Sequence, residues 1–305
     1  MSMFRNSNNE VRSGWKIAAV IGTMFGFSIL TSLILGIILG IYLVATGNVN
    51  GGEVSTTLIT GNSLMNAVAM ILSNIATIAA VILMWKVFQK KRVSDMGLIN
   101  IKKGAKELLI GLLIGAVTIT IIAASLIAFG DVELVNSITN PSISSSLLFG
   151  LIGFIFVGFG EEMLARGFCM SVMKQTKNKW LVLFVPAIIF SALHLANPGI
   201  APLALINLFL AGVVFAYMFM KTKNLWMPIG FHITWNYFQG NIWGFQVSGN
   251  VTDGLYQIKT VSNNIINGGE FGPEGGLVVT VVLLITLAIL YVCYKDNKIE
   301  DFMEY

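Results

Sequence analysis

The chain has 305 residues, of which 55% are hydrophobic and only 11% are charged, with a formal net charge of +4. Soluble domains carry about a quarter charged residues, so this composition excludes an ordinary water-soluble globular protein. Several continuous apolar stretches reach the roughly 20 residues that a helix needs to cross a bilayer, where the backbone must satisfy its own hydrogen bonds. The sequence therefore predicts an all-α, polytopic membrane helix bundle.

Eight apolar segments are predicted to cross the membrane. They are approximately residues 16–45, 62–87, 108–130, 144–174, 180–196, 202–220, 226–246 and 276–294. The first is longer than the apolar core of a signal peptide, about 7 to 15 residues, and lacks a clear cleavage site, so we expect it to be retained. No repeat or low-complexity segment divides the chain, which predicts a single multi-pass membrane domain over residues 1–305.

Basic residues lie on alternate connections between the predicted spans. Apart from Arg166 and Lys259, every Lys and Arg lies before or at the first residue of span one, after span eight, or in or immediately beside the connections that follow spans two, four and six. Cytoplasmic loops of membrane proteins carry an excess of Lys and Arg, so both termini are predicted to be cytoplasmic. We expect a bacterial plasma membrane protein whose surroundings are the lipid bilayer, and this distribution of charge gives no indication of a nucleic-acid partner.

Span four contains three charged residues in an otherwise apolar stretch, LLFGLIGFIFVGFGEEMLARGFCM. A charge near the bilayer centre costs about 2.5–3.5 kcal/mol on insertion scales and usually faces a bundle interior or a wet cavity. Glu162 and Arg166 are four residues apart and can pair on one helix face. Glu161 points elsewhere, which favours a functional role for it, while a salt bridge that only fixes helix packing is the alternative for the other two.

Both histidines of the chain lie inside or at the edge of apolar spans. His194 ends span five in FSALHLANPG, and His232 begins span seven in FHITWNYFQG. Asn236 follows His232 at i+4 and therefore shares its helix face. A single histidine in a helix is more often a packing residue than a catalyst, but the glutamate pair strengthens the functional interpretation. These residues are predicted to form one intramembrane cluster.

Three spans together resemble the CPBP family, which groups CAAX prenyl endopeptidases of the Ras-converting type with bacterial bacteriocin-processing and self-immunity (Abi) proteins. The resemblance rests on Glu161-Glu162-x-x-x-Arg166, Phe190-x-x-x-His194 and His232-x-x-x-Asn236, in this order and on separate spans. It covers about residues 144–246, the expected catalytic core. The resemblance implies an intramembrane endopeptidase whose substrate is a membrane-associated peptide or protein, such as a prenylated CAAX protein or a bacteriocin or leader-like peptide.

Peptide hydrolysis requires an activated water and stabilisation of the tetrahedral oxyanion. Glu161, aided by His194, is expected to activate the water, and His232 and Asn236 are expected to donate hydrogen bonds to the oxyanion. The resemblance implies the same roles for these positions. The distribution of basic residues leads us to expect that the site opens toward the cytoplasm.

A metal mechanism is the alternative to this cofactor-free chemistry. Glu161, His194 and His232 would supply three ligands to zinc or another divalent metal, with water in the fourth position. The sequence contains no HExxH motif, and Asn236 is a poor zinc ligand, so the metal-free mechanism is preferred. In the metal-free mechanism the resemblance implies that Glu162 and Arg166 support the site, whereas with Glu161 as a metal ligand Glu162 would be the only nearby base.

Two other classes of protein are consistent with intramembrane ionisable residues. An ion- or proton-coupled transporter would use Glu161, Glu162 and the histidines as a relay. Transporters often contain inverted repeats with broken helices in both halves, whereas the ionisable residues here lie in the second half of the chain. A non-catalytic immunity or scaffold protein would keep the motifs without hydrolysing anything.

Overall fold

The computed structural model describes residues 3–45, 49–50, 53–54 and 63–304. Its helices are α1 (Ser13–Ala45), α2 (Ser63–Phe88), α3 (Ile101–Ala128), α4 (Ser146–Thr176), α5 (Lys179–Ala192), α6 (Pro202–Thr222), α7 (Trp226–Tyr237), α8 (Leu277–Cys293) and α9 (Ile299–Glu304). Two antiparallel strand pairs accompany them, β1 (Val49–Asn50) with β2 (Glu53–Val54) and β3 (Val132–Leu134) with β4 (Ile258–Thr260). The architecture is the predicted all-α helix bundle.

Within the described residues five helices, α1 to α4 and α6, are long and apolar enough to cross a membrane, so the chain is an integral membrane protein. Helices α5 and α8 are also apolar but have only 14 and 17 residues. At 1.5 Å per residue α5 is about 21 Å long, which is less than the roughly 30 Å of a bilayer's hydrocarbon core. The number of helices that cross the whole bilayer is therefore not fixed by length alone.

The predicted bounds differ from the structure by more than three residues at three of the eight spans. Span five was predicted to run to residue 196, but α5 ends at Ala192 and a turn follows it. Span seven was predicted as one helix to residue 246, but its α-helical part ends at Tyr237 and a π-helical segment, Phe238–Ile242, continues it. Span three begins earlier than predicted, at Ile101. Residue 62, the predicted start of span two, lies outside the described residues.

Helix α7 packs closely along α3. A Cβ atom added to Gly111 of α3 would overlap the carbonyl oxygen of Met227, and one added to Gly115 would overlap the carbonyl oxygen of Phe231. Small residues spaced four apart allow helix backbones in membranes to approach one another. These two glycines therefore fix the distance between α3 and the helix that carries His232.

Replacing Gly111 with Val is expected to separate α3 from α7 and to lower the free energy of unfolding by about 1–3 kcal/mol, the usual effect of overpacking. The thermal unfolding midpoint of the purified protein in detergent measures this change. Gly26→Val on α1 is the matched control, because nothing lies within 4 Å of a Cβ added there. Equal midpoints for the two variants would contradict the close packing of α3 on α7.

The end of the bundle that carries the basic connections, here called the basic end, is closed by packed side chains. Phe302 of α9 is fully buried and packs edge-on against Phe219, with the two ring centroids 4.9 Å apart. The ammonium of Lys174 lies 3.8 Å from the centre of the Phe302 ring. Lys179 forms a 2.8 Å ion pair with Glu300, which lowers the pKa of that exposed carboxyl. Helix α9 thus covers the basic ends of α4, α5 and α6.

The opposite end is covered by the long connection between α7 and α8, residues 243–276. Glu274, in this connection, is 7% exposed and accepts hydrogen bonds from the backbone N–H of Ser248 at 2.6 Å and from the indole N–H of Trp235 at 3.3 Å. The side-chain amide of Asn207 donates to the Glu274 carbonyl at 2.8 Å. Buried polar groups need such partners, and this network holds the connection against α6 and α7.

Candidate active site

Helix α4 carries two adjacent glutamates at the point where its α-helical part ends and a π-helical segment, Met163–Met170, begins. Consecutive helical residues point about 100° apart, so the two side chains have different surroundings. Glu162 is fully buried, whereas the side chain of Glu161 is 31% exposed and lines a cavity. Glu161 is therefore the glutamate that a water molecule or a substrate can reach.

Glu162 connects α4 to α7 through a single carboxylate oxygen. Its Oε1 accepts a hydrogen bond from Nη1 of Arg166 at 2.9 Å and another from Nδ1 of His232 at 2.9 Å. Hydrogen bonds between ionised partners are roughly twice as strong as neutral ones. The pairing of Glu162 with Arg166 was predicted from their spacing, while the contact with His232 fixes the position of α7 relative to α4.

Arg166 is fully buried and is surrounded by groups that compensate its charge. Besides its bond to Glu162, its Nη2 donates to the carbonyl oxygen of Gly212 on α6 at 3.1 Å. The guanidinium lies 4.5 Å from the ring centre of Phe190 and 4.8 Å from that of Phe215. Such cation–π contacts contribute about 2 kcal/mol each when desolvated. Arg166 therefore belongs to the support behind the cavity wall rather than to the wall itself.

The two ring nitrogens of His232 face different glutamates, Glu162 and Glu161. A carboxylate only accepts, so Nδ1 donates to Glu162, and the second nitrogen, Nε2, lies 3.8 Å from Oε2 of Glu161. The imidazole stacks on the Phe215 ring with centroids 5.2 Å apart and an interplanar angle of 22°. The ring is thus fixed by Glu162 and Phe215, and Nε2 is directed toward the cavity that Glu161 lines.

The sequence predicts His194 at the end of a helix. In the structure it lies in the turn that follows α5. Its Nδ1 is 2.8 Å from the carbonyl oxygen of Phe190. Because that oxygen can only accept, Nδ1 is the donor, so Nε2 is the ring nitrogen that can accept a hydrogen bond in the neutral imidazole. His194 is partly exposed and lines the same cavity as Glu161.

Asn236 lies one helical turn after His232 and is 5% exposed. It lines the cavity, and its side-chain amide has no hydrogen bond to any part of the chain that the structure describes. A buried amide without a partner is destabilising unless a ligand or water supplies one. Asn236 therefore offers a free N–H donor on the same side of the cavity as His232.

The four residues predicted to be catalytic, Glu161, His194, His232 and Asn236, all line one cavity of about 930 Å³. Ligand pockets for drug-sized molecules usually measure about 300–1,000 Å³, so this space accommodates several residues of a peptide. Side chains from α1, α2, α6, α8 and the segment 247–253 complete the walls.

Two polar residues of α2, Asn74 and Thr77, also line this cavity but were not identified from the sequence. They are 9% and 7% exposed. Asn74 lies against Gly160, the residue before Glu161, and donates to the carbonyl of Met70 at 2.9 Å. Polar residues inside an apolar span mark candidate functional positions. The sequence signal for Asn74 and Thr77 is their polar but uncharged side chains within span two.

The sequence predicts a site that opens toward the cytoplasm, on the side of the basic connections, but the exposed part of the cavity lining lies at the other end of the bundle. The exposed lining residues Asn250, Val251 and Asp253 belong to the connection at the opposite end of the bundle. The basic end is filled instead by a hydrophobic core that includes Phe219 and Phe302. The cavity therefore extends from Glu161 away from the basic connections.

The alternative metal set is not assembled in the described residues, which contain no group of three His, Cys, Asp or Glu side chains placed to hold a metal ion. Glu161, His194 and His232 line the same cavity but do not converge as ligands.

Residues 143–238, about a third of the chain, match the family model described as "Rce1-like: Type II CAAX prenyl endopeptidase Rce1-like". The matched segment contains every residue predicted for the site, and the match confirms the resemblance to the CAAX protease family. No curated protein matches the chain. The family match supports intramembrane endopeptidase as the class of activity.

Proposed function

We propose that this protein hydrolyses a peptide bond in a membrane-associated peptide or protein, with Glu161 as the general base. The observation that carries the proposal is the shared cavity of Glu161, His194, His232 and Asn236 within the segment that matches the protease family. In this proposal residues 144–246 form the catalytic core of a single membrane domain, and the rest of the chain completes the cavity.

The attacking water lies between Glu161 and His194, donating one hydrogen bond to the Glu161 carboxylate and one to Nε2 of His194. Glu161 takes a proton from the water while the water oxygen bonds to the carbonyl carbon of the substrate. General acid–base catalysis of this kind contributes typically about 10²–10⁴-fold to the rate. The free Nε2 of His194 supports this arrangement, because the Phe190 carbonyl holds the proton on the other nitrogen.

The oxyanion that forms is held by N–H donors from Nε2 of a protonated His232 and from the amide of Asn236. With His232 protonated, two carboxylates face one guanidinium and one imidazolium, so the buried cluster is neutral overall. When the intermediate collapses, the C–N bond breaks and the amine leaves with the proton that Glu161 carried. The products are a new carboxyl terminus and a new amino terminus.

His194→Ala is expected to leave the substrate uncleaved, because the water loses one of its two acceptors. Mass spectrometry of membrane peptides from cells that express the variant detects the accumulating substrate. The control is Leu195→Ala, since Leu195 is 57% exposed and neighbours His194 on the same turn. Identical peptide profiles for wild-type and His194→Ala cells, with both proteins inserted and folded, would refute the role of His194.

The positive-inside rule places the basic end in the cytoplasm, so the cavity is reached from the non-cytoplasmic side. In a Cys293→Ser background, Asn250→Cys is expected to react with a membrane-impermeant maleimide in intact cells. Lys298→Cys is expected to react only after permeabilisation. Both positions are exposed, and the remaining Cys169 is buried. The reversed labelling pattern would place the cavity mouth in the cytoplasm.

A transporter is less well supported than a protease. The ionisable residues face a cavity that reaches one end of the bundle, and packed aromatic side chains separate them from the basic end. A proton or ion relay across the membrane would need polar groups between the cavity and the basic end as well.

A further inference from the structure

Glu274 is a buried carboxylate of the cavity wall to which the proposed reaction assigns no role. It lies in the connection between α7 and α8, outside the segment that matches the protease family. A buried carboxylate is destabilising unless hydrogen bonds or an opposite charge compensate it. The partners that the structure gives its two carboxylate oxygens are neutral N–H and O–H donors of Ser248 and Trp235. The elements to which these donors belong indicate what the carboxylate does.

Oε2 of Glu274 holds Ser248 in place. It accepts hydrogen bonds from the backbone N–H of Ser248 at 2.6 Å and from the hydroxyl of the same residue at 2.9 Å. Ser248 has a φ of +47°, in the left-handed region that is uncommon for residues other than glycine. The two bonds to one carboxylate oxygen compensate this unfavourable backbone conformation.

Ser248 is bonded in its turn to the segment that carries His194. The carbonyl of Ser248 accepts a hydrogen bond from the side-chain amide of Asn197 at 3.0 Å. Asn197 lies three residues after His194, and its backbone N–H donates to the carbonyl of His194 at 3.0 Å. A continuous chain of hydrogen bonds therefore runs from Glu274 to the backbone of His194.

The other carboxylate oxygen of Glu274 contacts α7. Oε1 accepts a hydrogen bond from the indole N–H of Trp235 at 3.3 Å. Trp235 directly precedes Asn236 and is 4% exposed. Its ring stacks on that of Phe231, with centroids 5.5 Å apart and an interplanar angle of 20°. Glu274 is thus bonded to the part of α7 that carries His232 and Asn236.

We propose that Glu274 is a positioning residue, whose two oxygens set the position of the turn that carries His194 relative to the part of α7 that carries Asn236. The inference rests on the proposed function, in which His194 binds the attacking water and Asn236 binds the oxyanion. Both groups act on the same carbonyl group of the substrate, and a misplacement of about 1 Å can lower a rate about a hundredfold. A carboxylate suits this position because it has two acceptor oxygens, whereas a glutamine side chain has one.

Glu274→Met removes both acceptor oxygens and keeps an unbranched side chain that adapts to its surroundings. The assay uses the full-length protein in lipid nanodiscs and the member of a randomised peptide library that the wild type cleaves fastest. We expect the turnover number to fall about ten- to hundredfold while KM stays unchanged. Glu274→Gln keeps one oxygen and should recover part of the loss, and it carries the kinetic test if the Met variant does not fold. Glu270→Met is the matched control, because Glu270 is exposed in the same connection and does not line the cavity.

A second measurement does not depend on cleavage. The chain contains two histidines, so protein labelled with isotopic histidine gives one NMR ring signal for each, and His194→Ala identifies the signal of His194. We expect Glu274→Met and Asn197→Leu each to shift this signal, and Glu270→Met to leave it in place. The double variant of Glu274→Met and Asn197→Leu should turn over at the rate of Glu274→Met alone, because both substitutions break the same chain of hydrogen bonds.

An unshifted His194 signal in the Glu274→Met protein would overturn the inference. A rise in KM at unchanged turnover would also overturn it, since that result indicates a direct contact with the substrate. A loss of activity that only follows the folded fraction, measured by thermal unfolding, would leave Glu274 with a structural role alone and overturn the inference as well. Absence of cleavage of any library member by folded wild-type protein would instead refute the proposed function, and the NMR comparison would still decide whether Glu274 holds the turn.

Discussion

Replacing Glu161 with Gln is expected to lower the turnover number at least about a hundredfold, the lower range for removal of a general base. The amide keeps the size of the side chain and its ability to accept a hydrogen bond, but it cannot take a proton from water. Because Glu161 is partly exposed and its only described polar contact is with His232 at 3.8 Å, the variant should remain folded. Cleavage kinetics in nanodiscs measure the loss of turnover, and the thermal unfolding midpoint shows whether the variant is also less stable.

Glu133→Gln is the matched control for this substitution, since Glu133 is exposed on β3, outside the cavity. Its kinetics should equal those of the wild type. Glu162→Gln provides the contrast, because Glu162 is the buried acceptor of both Arg166 and His232. That variant should lose stability as well as activity. Wild-type turnover by the Glu161→Gln protein would exclude Glu161 as the base.

Replacing Arg166 with Met is expected to lower the free energy of unfolding by about 3–5 kcal/mol, because removal of one partner leaves the other charge buried and unpaired. Glu162 would then keep only the bond from His232, with no part of its side chain exposed to solvent. Activity should fall with stability, since His232 depends on Glu162 for its orientation. Unfolding in detergent by heat or denaturant measures the loss.

Two comparisons make this prediction specific to the buried pair. Arg92→Met removes an exposed arginine that is 3.7 Å from Asp95, and surface ion pairs contribute about 0.2–1 kcal/mol. The double variant Arg166→Met, Glu162→Gln should recover part of the lost stability, because the unpaired carboxylate is gone. If the double variant were as unstable as the sum of both single variants, the ion pair would not explain the effect.

Much of the fold could be predicted from the sequence because lipid restricts the choices. Apolar stretches must be helical in a membrane, and α8 begins and ends within one residue of its predicted bounds, at Leu277 and Cys293. The Glu162–Arg166 pair followed from spacing within one helix. Periodicity also separated Glu161 from Glu162, and the structure gives these two side chains different exposure.

The remaining features depend on contacts between helices, which no local pattern encodes. The end of α5 before His194 is followed by a turn that Asn197 holds through a 3.0 Å hydrogen bond to the Ser248 carbonyl, 51 residues away. The bond from His232 to Glu162 joins residues 70 positions apart. The end of the bundle at which the cavity opens depends on packing, because side chains of α9 such as Phe302 fill the basic end. Charge counting orients helices but does not show where space remains between them.

The walls of the cavity come from two different parts of the chain. Glu161, His194, His232 and Asn236 lie in the segment that matches a protease family, whereas Asn74, Thr77 and the segment 247–253 lie outside it. In the proposed function, chemistry and substrate choice are therefore open to separate change. An exchange of α2 and the 247–253 segment is then expected to alter the preferred peptide, while Glu161, His194, His232 and Asn236 stay in place.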